Sequence, residues 1–442
     1  MRDLLSIGTS RGCEMIGTGI GLGLSGFRVN PPGALPVLDL RFSNDKTLVA
    51  FAGPTPSFSR ASSGTYFGAN GVLTSAAVNE PRFDHVLENG VWVSKGLLIE
   101  EQRVNYVKYA NDLSTNWTNE SGATREYNSI ASPDGGTNAT KVNVAVSDYP
   151  GLFQNPLLNA GSGIYTYSIF AKKGTKDWLW ILNTAGAGGS GTFFNISNGT
   201  IGTVNSGYSA TIANCGNGWY RCSLTTTTSA LSFFQFGFSD ANNSIRPAST
   251  GHSYVYGAQI ELGSFVTSFI PNNTASSVTR SADVCQITGS AFTNLWNATE
   301  GSFSVDNDRL GSVTSSFSSG FPHSLSLVDG SNLVRMGFYG GHSGASPTGE
   351  IFLYNGSSRI TAGSLVSGSN PIKISGAYKA NDFAASLNGA ASLTSSSGAL
   401  ETVVQMNIGA WASSQYMLNG HIARLRYYPT RLTNAKLQEL ST

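Results

Sequence analysis

The residue types that could carry catalysis or bind a metal ion are few and scattered in this sequence. None of the five histidines lies in an HExxH motif or near cysteines at zinc-ligand spacing. They are His85, His252, His323, His342 and His421. A glycosidase needs two carboxylates on opposite sides of the scissile bond. The adjacent Glu100 and Glu101 would point to opposite faces of a strand. We therefore predict that the chain is not an enzyme.

Two further motifs match ligand sites only in part. Asp306-Asn-Asp308 could ligate calcium through its carboxylates or form a polar turn. The Gly-x-Gly-x-x-Gly run at residues 21–26 matches the dinucleotide fingerprint, which requires a helix directly after it. Phe27-Arg-Val-Asn-Pro-Pro follows instead, and a residue before proline disfavours helical dihedrals. We predict no cofactor and no metal, with calcium at the D-x-D motif left open.

Tryptophan side chains are the candidates for a glycan-binding surface, because aromatic faces stack on sugar rings. The candidates are Trp178, Trp180, Trp296 and Trp411. Trp178 and Trp180 are two residues apart, so in a strand they would share one face. That face could bind a ligand or form the core, and both interpretations stay open.

The composition describes a folded chain with little charge. Charged residues make up 12% of the 442 residues, against about 25% in typical domains. Hydrophobic residues make up 40%, and 52 residues are glycine. A net charge of +1 provides no electrostatic attraction to nucleic acid, so we expect no nucleic-acid partner. No apolar run reaches the ~18 residues of a membrane-spanning helix. Abundant turn residues and aromatics indicate antiparallel β-sandwiches.

Cysteine usage and the first residues indicate folding in a reducing cytoplasm. Cys13, Cys215, Cys222 and Cys285 fit neither zinc-ligand spacing nor a dense disulfide framework. Cys215 and Cys222 could face each other in a hairpin, but we expect ordinary buried thiols. Acidic residues interrupt the start of the chain and no Ala-x-Ala site follows, so we expect no secretion signal.

Changes of pattern along the chain predict four regions. Residues 1–37 form an extended Gly-rich arm, and 38–109 form a segment of β-hairpins. Blocks of short strands follow at 110–285 and at 286–442, and the last block ends in a short helix.

Local signals predict individual elements inside these regions. Leu38-Asp-Leu-Arg-Phe42 alternates like a half-buried strand. Asn70-Gly71 and Asn89-Gly90 predict hairpin turns between short apolar runs. Thr433 can cap a C-terminal helix that bears Leu437 and Leu440.

The hairpin segment resembles a known family. Residues 58–67 read FSRASSGTYF, and PRFDH and GLLIEEQRVN follow at 81–85 and 96–105. This string is similar to the opening segment of the phage head spike or fibre family. Charged residues recur in it although charge is scarce elsewhere. We expect Arg60, Arg82 and Arg103 to form structural salt bridges with acidic residues of the same segment. Those residues are Asp84, Glu100 and Glu101.

Two later stretches carry further resemblances. NGWYR at 217–221, GAQIELG at 257–263 and TSFIP at 267–271 resemble the end of a carbohydrate-binding-module-like jelly roll. GHIARLRYYP at 420–429 resembles the end of a concanavalin A-like, laminin-G-like sandwich. The resemblances imply an all-β chain with two antiparallel β-sandwich domains, a jelly roll and a concanavalin-like sandwich, after the Gly-rich arm.

The family resemblance also implies a function. It suggests a virion protein of a tailed bacteriophage, serving as a head spike or fibre, a decoration protein or a tail-associated fibre. Its partners would be two further copies in a homotrimer and the capsid, neck or tail proteins, with no membrane insertion. The glycines expected to anchor the arm to the virion are Gly17, Gly19, Gly21, Gly23 and Gly26. The alternative is a receptor-binding adhesin that recognises host surface polysaccharide.

Overall fold

The structure is a computed structural model, and its sheets are antiparallel. It describes residues 35–154, 161–183, 191–228, 233–311, 322–331, 334–341, 349–354, 359–365, 370–411 and 416–442. Residues Pro36–Thr442 form one compact unit. The described ranges hold 31 strands and three short helices, which confirms the predicted all-β fold class. The arm glycines lie outside the described residues.

The segment of residues 36–105 folds as short strands, as its turn signals predict. Its strands are β1 (Leu38–Leu40), β2 (Ser57–Ser59), β3 (Gly64–Phe67), β4 (Leu73–Ala76), β5 (Phe83–Glu88), β6 (Val91–Ile99) and β7 (Arg103–Asn105). The predicted hairpins are confirmed, because β3 pairs with β4 and β5 pairs with β6. Asn89 and Gly90 have φ of 50° and 81°, as a two-residue turn that matches the strand twist requires.

The predicted strand at Leu38 is shorter than its alternation suggested. Leu38 and Leu40 are buried in β1, but Phe42 begins the short helix α1 (Phe42–Asp45). Phe42 is buried as well. The alternation therefore identified the three core residues correctly. It was wrong about Phe42, which is helical and not part of the strand.

Residues 118–262 form a jelly roll of twelve strands. These are β8 (Thr118–Glu120), β9 (Thr124–Ile130), β10 (Ala139–Val144), β11 (Gly151–Gln154), β12 (Gly163–Lys172), β13 (Trp178–Leu182), β14 (Thr192–Asn195), β15 (Thr200–Ile201), β16 (Tyr208–Asn214), β17 (Trp219–Thr228), β18 (Phe234–Ser239) and β19 (Gly251–Leu262). They make two six-stranded sheets, in the orders β16-β17-β12-β19-β10-β9 and β15-β14-β13-β18-β11-β8. Phe234, Phe236 and Phe238 alternate into the core between the sheets.

The remaining strands belong to the C-terminal part of the chain. They are β20 (Val278–Arg280), β21 (Val284–Ile287), β22 (Glu300–Asn307), β23 (His323–Val328), β24 (Val334–Gly341), β25 (Gly349–Tyr354), β26 (Arg359–Leu365), β27 (Ile372–Lys379), β28 (Phe383–Leu387), β29 (Leu393–Ser395), β30 (Gln405–Ile408) and β31 (Gly420–Tyr428). Helix α2 (Gly289–Thr293) follows β21, and α3 (Asn434–Leu440) ends the chain.

The C-terminal helix confirms the capping prediction. The Thr433 hydroxyl accepts a hydrogen bond from the backbone N–H of Lys436 at 3.3 Å. Leu437 and Leu440 are buried against Tyr428 and two alanines. No helix in the described ranges is long and apolar enough to cross a membrane.

Strands from both ends of the chain share the sheets of the second sandwich. One sheet has the order β29-β28-β27-β22-β31-β6-β5, with β1 also paired to β31. The other has the order β2-β21-β30-β23-β24-β25-β26. Leu38, Leu97 and Ile99 therefore lie in one core with Val305 and Leu425. We call this unit, formed by residues 36–99 and 284–442, the outer sandwich.

The jelly roll is inserted into the outer sandwich. Strands β7 and β20 pair side by side, with Asn105 opposite Val278. The chain thus leaves for the jelly roll and returns from it at neighbouring positions. The region boundaries at residues 109 and 285 remain sequence predictions, but the hairpin segment shares its sheets with the C-terminal block.

This nesting predicts how fragments behave. Residues 286–442 alone lack β1, β2, β5 and β6, so we expect no cooperative thermal unfolding by circular dichroism. Residues 106–277 keep both six-stranded sheets of the jelly roll and should melt cooperatively. Cooperative melting of 286–442 at the temperature of the full chain would contradict the shared core.

Candidate functional site

Four fully buried charged side chains meet where the jelly roll joins the outer sandwich. They are Arg60, Arg82, Glu100 and Asp283, and each side chain has no exposed area. Arg60 follows β2, Arg82 precedes β5, Glu100 follows β6 and Asp283 precedes β21. The ends of four strands thus place these side chains together. We call this group and its direct partners the arginine junction.

The arginine junction is closely hydrogen-bonded. Arg82 donates from Nη1 to Glu100 Oε2 and from Nη2 to Asp283 Oδ2, both at 2.6 Å. Arg60 Nη1 donates to the second oxygen of Asp283 at 3.1 Å. The Glu100 backbone N–H donates to Asp283 at 2.8 Å. Each carboxylate therefore has an arginine partner, as a buried charge requires.

Ser268 connects the junction to the jelly roll, because it lies just beyond the last jelly-roll strand, β19. Its backbone N–H and hydroxyl each donate to Glu100 at 2.7 Å. The same hydroxyl accepts from Arg82 and from Arg280, each at 2.8 Å. Arg280 also lies 3.0 Å from Glu100. One serine thus contacts three charged side chains of the junction.

The electrostatics keep the junction ionised. Burial alone would raise the pKa of Glu100, but Arg280, Arg82 and the Ser268 hydrogen bonds lower it to about 2. Burial alone would lower the pKa of Arg82, but Asp283 and Glu100 raise it above its ordinary value. A general acid or base works best with a pKa near the working pH. Glu100 is therefore suited to binding arginine and not to proton transfer.

A second group of ion pairs extends the junction along the jelly roll. Arg103 Nη2 lies 2.5 Å from Glu101, and Arg103 also donates to the carbonyl of Leu262. Glu261 accepts from the backbone N–H and the hydroxyl of Thr267 at 2.8 and 2.6 Å.

The sequence predicted part of this network. The pairs Arg82–Glu100 and Arg103–Glu101 are confirmed. Arg60 pairs with Asp283, which the sequence interpretation missed. The available signal was the rarity of charge, since Asp283 is one of 26 acidic residues among 442.

Asp84 has a different partner from the one expected, because it holds a buried histidine. His421 Nε2 lies 3.0 Å from Asp84, and its Nδ1 lies 2.7 Å from Asp308. Asp84 also accepts from the backbone N–H of Phe67 at 2.7 Å. Burial alone would lower the pKa of His421, but the two carboxylates raise it to about 10. The imidazolium thus ties β31 to β5.

The D-x-D motif does not converge on one point. Asp308 bonds to His421, whereas Asp306 lies 4.0 Å from Arg426. Burial is the main cause of the raised pKa of Asp306. Among the described residues, no cluster of three His, Cys, Asp or Glu side chains is arranged to hold a metal ion.

The four candidate tryptophans lie in different places. Trp180 is completely buried, and its ring covers Gly237 so closely that a Cβ there would lie 2.3 Å from it. A buried ring offers no face to a sugar, so burial favours the core interpretation for Trp180. Trp296 packs against the core of the outer sandwich and stacks on Tyr378 with centroids 4.7 Å apart.

Trp178 and Trp411 keep partial exposure, as does Trp296. Trp178 shares a face with Trp180, as predicted, on the side of its sheet away from the main jelly-roll core. Trp411 packs edge-on against His323 with centroids 5.0 Å apart. Sugar binding by Trp178, Trp296 and Trp411 remains a prediction.

The cysteines within the described ranges are the expected buried thiols. Cys215, Cys222 and Cys285 are free and buried. Burial raises the pKa of Cys215 to about 12, so its thiol stays protonated and unreactive. Cys13 lies outside the described residues.

Comparisons with known proteins give no family. No family model matches the chain, and no curated protein matches it. Among solved structures, it is similar to the full extracellular region of zebrafish Gpr126/Adgrg6, at 10% identity and a TM-score of 0.24. That match covers 68% of this chain and 37% of the other. It is also similar to domains LG4-5 of the mouse laminin α1 chain, at 8% identity and a TM-score of 0.22. That match covers 72% of this chain and 93% of the other. Neither TM-score supports an inference about function.

The junction predicts a large effect from a single substitution. Arg82→Met leaves Glu100 and Asp283 short of a buried partner, which should lower the free energy of unfolding by about 3–5 kcal/mol. Urea unfolding at pH 7 measures this change. Lys173→Met is the control, since it removes a pair with Asp177 whose side chains are 43% and 44% exposed. The control should cost at most ~1 kcal/mol. Equal costs for the two variants would contradict the role of the junction.

The raised pKa of His421 predicts a loss of stability at alkaline pH. The folded state binds this proton more tightly than the unfolded state, where histidine has a pKa near ~6.5. The contribution is therefore complete below pH ~6.5 and is lost as the pH rises through about 10. The stability difference between wild type and His421→Gln, measured by urea unfolding at several pH values, should shrink over that range. A difference that stays constant or grows with pH would contradict the charged imidazolium.

Proposed function

We propose that the chain is a non-catalytic structural protein of a tailed-phage virion that projects its two sandwiches from the particle surface. The sequence resemblance to the phage head spike or fibre family supports this proposal. The observation that carries it is the identity of the junction residues. Arg60, Arg82 and Glu100 belong to the stretches that carry the resemblance, and so does Ser268.

The motif therefore has a mechanical interpretation. The side chains of the motif form hydrogen bonds and ion pairs that fix the jelly roll against the outer sandwich. A projecting appendage needs its domains held in one orientation, and buried ion pairs are screened by salt much less than surface pairs. A motif with these contacts favours a structural role over a reaction.

The chemistry of the buried acids supports the same proposal. Glu100 and Asp283 are neutralised by arginines, and Asp84 and Asp308 each accept one N–H of the His421 imidazolium. A glycosidase instead requires one protonated acid beside the scissile bond. The ion pairs of these four carboxylates stabilise the fold and leave none of them as a free general acid.

The proposal includes partners and a location. The chain would be made in the bacterial cytoplasm, assemble as a homotrimer and attach to capsid, neck or tail proteins through residues 1–37. Closed threefold symmetry would bury the same patch on each copy and leave no open end. The low charge of the chain favours such contacts, because few ions have to be desolvated.

A receptor-binding adhesin is the second candidate function. It is favoured by the partial exposure of Trp178 and Trp411, since either ring could stack on a sugar. A glycan array with wild type beside a Trp178→Ala, Trp411→Ala double variant separates the candidates. Binding that the double variant loses would favour the adhesin.

The structural proposal predicts separate folding and attachment. A chain that starts at Pro36 keeps the whole compact unit. We expect it to retain a β-type circular dichroism spectrum and cooperative melting but to be absent from purified particles. Full-length protein produced at the same level is the control. Attachment of the shortened chain to particles would contradict the anchoring role of the arm, and loss of cooperative melting would contradict the independence of the fold.

A further inference from the structure

An exposed apolar strip runs along one edge of the outer sandwich. Residues 48–52 read LVAFA, and Leu48 and Ala50 pack against the core of this sandwich. Val49 and Phe51, which alternate with them, are 62% and 64% exposed. The strip therefore has an apolar side chain on both of its faces.

The strip lies beside β1. The Asp39 backbone N–H donates to the carbonyl of Ala52, and the Phe51 N–H donates to the carbonyl of Asp39, both at 2.9 Å. Val37, two residues before Asp39, is 38% exposed on the neighbouring strand. We call Val37, Val49 and Phe51 the apolar edge.

Residues 48–52 do not form a regular strand, and a single bridge between Ala52 and Asp39 holds them beside β1. Here residues 48–53 contain no charged residue. The Arg41 guanidinium lies 3.3 Å from the centroid of the Phe51 ring, and Asp39 neutralises it at 2.7 Å. An exposed apolar edge of this kind marks a contact surface.

The same chain contains a sequence that matches this surface. In residues 16–24 larger side chains alternate strictly with glycine. The larger ones are Ile16, Thr18, Ile20, Leu22 and Leu24, and the glycines are Gly17, Gly19, Gly21 and Gly23. Period-two alternation predicts a strand with one apolar face. Its glycine face would let another backbone approach closely.

We propose that the apolar edge binds residues 16–24 of a second copy of this chain. Only residues 25–35 separate that segment from the start of the compact unit at Pro36. Extended, such a connector spans up to ~36 Å, which is enough to reach an adjacent copy. Bound there, the segment would place its apolar face over the exposed side chains of Val49 and Phe51.

This proposal deepens the proposed homotrimer, because it rests on the virion appendage and names the contact that joins its copies. Exchange of arms around a threefold axis gives each copy one donated and one accepted strand. All edges are then covered, and assembly stops at the closed ring.

The first test uses substitutions at the apolar edge. Light scattering at micromolar concentration should give wild type a mass that is a multiple of 46.4 kDa. The double variant Val49→Asp, Phe51→Asp should give a single copy. Val91→Asp is the matched control, since Val91 is 63% exposed on another hairpin, and it should keep the wild-type mass. A monomeric wild type would overturn the proposal, and so would a double variant that has the same oligomeric mass as wild type.

A cross-linking test identifies the occupant. In a Cys13→Ser background, Leu22→Cys and Val49→Cys should form a disulfide that joins two chains on a non-reducing gel. Leu22→Cys paired with Val91→Cys is the control and should stay unlinked. A disulfide confined to single chains would overturn docking between copies.

Particle attachment separates this proposal from the proposed function. The Val49→Asp, Phe51→Asp variant could remain an oligomer while removal of the arm abolishes attachment to particles. In that case the docking proposal fails and the virion role stands. The same variant could instead be a monomer by light scattering while the full-length wild-type protein is absent from particles. In that case the docking proposal stands and the virion role fails.

Discussion

The fold depends on one constraint, which is that charged groups buried without water must all find partners. Arg60, Arg82, Glu100 and Asp283 are fully buried, and removal of any one takes an ion pair away from the buried charges that remain. Their positions at the ends of four strands mean that these strands have to arrive together. A register error in one strand would move its charge to the other face and remove its ion pairs from the junction. The stability of the junction thus depends on the correct placement of all four strands.

This constraint explains how the inserted jelly roll is held. Its two connections to the outer sandwich run side by side as β7 and β20, which alone would allow it to swing. Ser268 and Arg280 tie the returning connection to Glu100, and Arg280 also donates to the carbonyl of Glu101 on the outgoing one. The two connections are therefore joined to each other and to the end of β6. A protein with this construction can present two sandwiches in one orientation, which is what a particle appendage requires.

Local patterns in the sequence predicted local structure well, and contacts distant in sequence less well. The Asn89-Gly90 turn and the Thr433 cap each depend on a few neighbouring residues, so their chemistry could be recognised. Asp283 lies 201 residues from Arg82, and nothing in the spacing relates the two. Shared sheets between the hairpin segment and the C-terminal strands were missed for the same reason. Alternation placed Trp178 and Trp180 on one face but could not say that Trp180 would be covered, because burial depends on what packs there.

We infer that the junction couples the two sandwiches into one cooperative unit, and scanning calorimetry tests this coupling most directly. We expect wild type to unfold in a single transition whose calorimetric and van't Hoff enthalpies agree. The variant Glu100→Gln weakens the junction without changing either hydrophobic core, and it should unfold in two separate transitions. Two transitions in wild type, or one unshifted transition in the variant, would contradict the account.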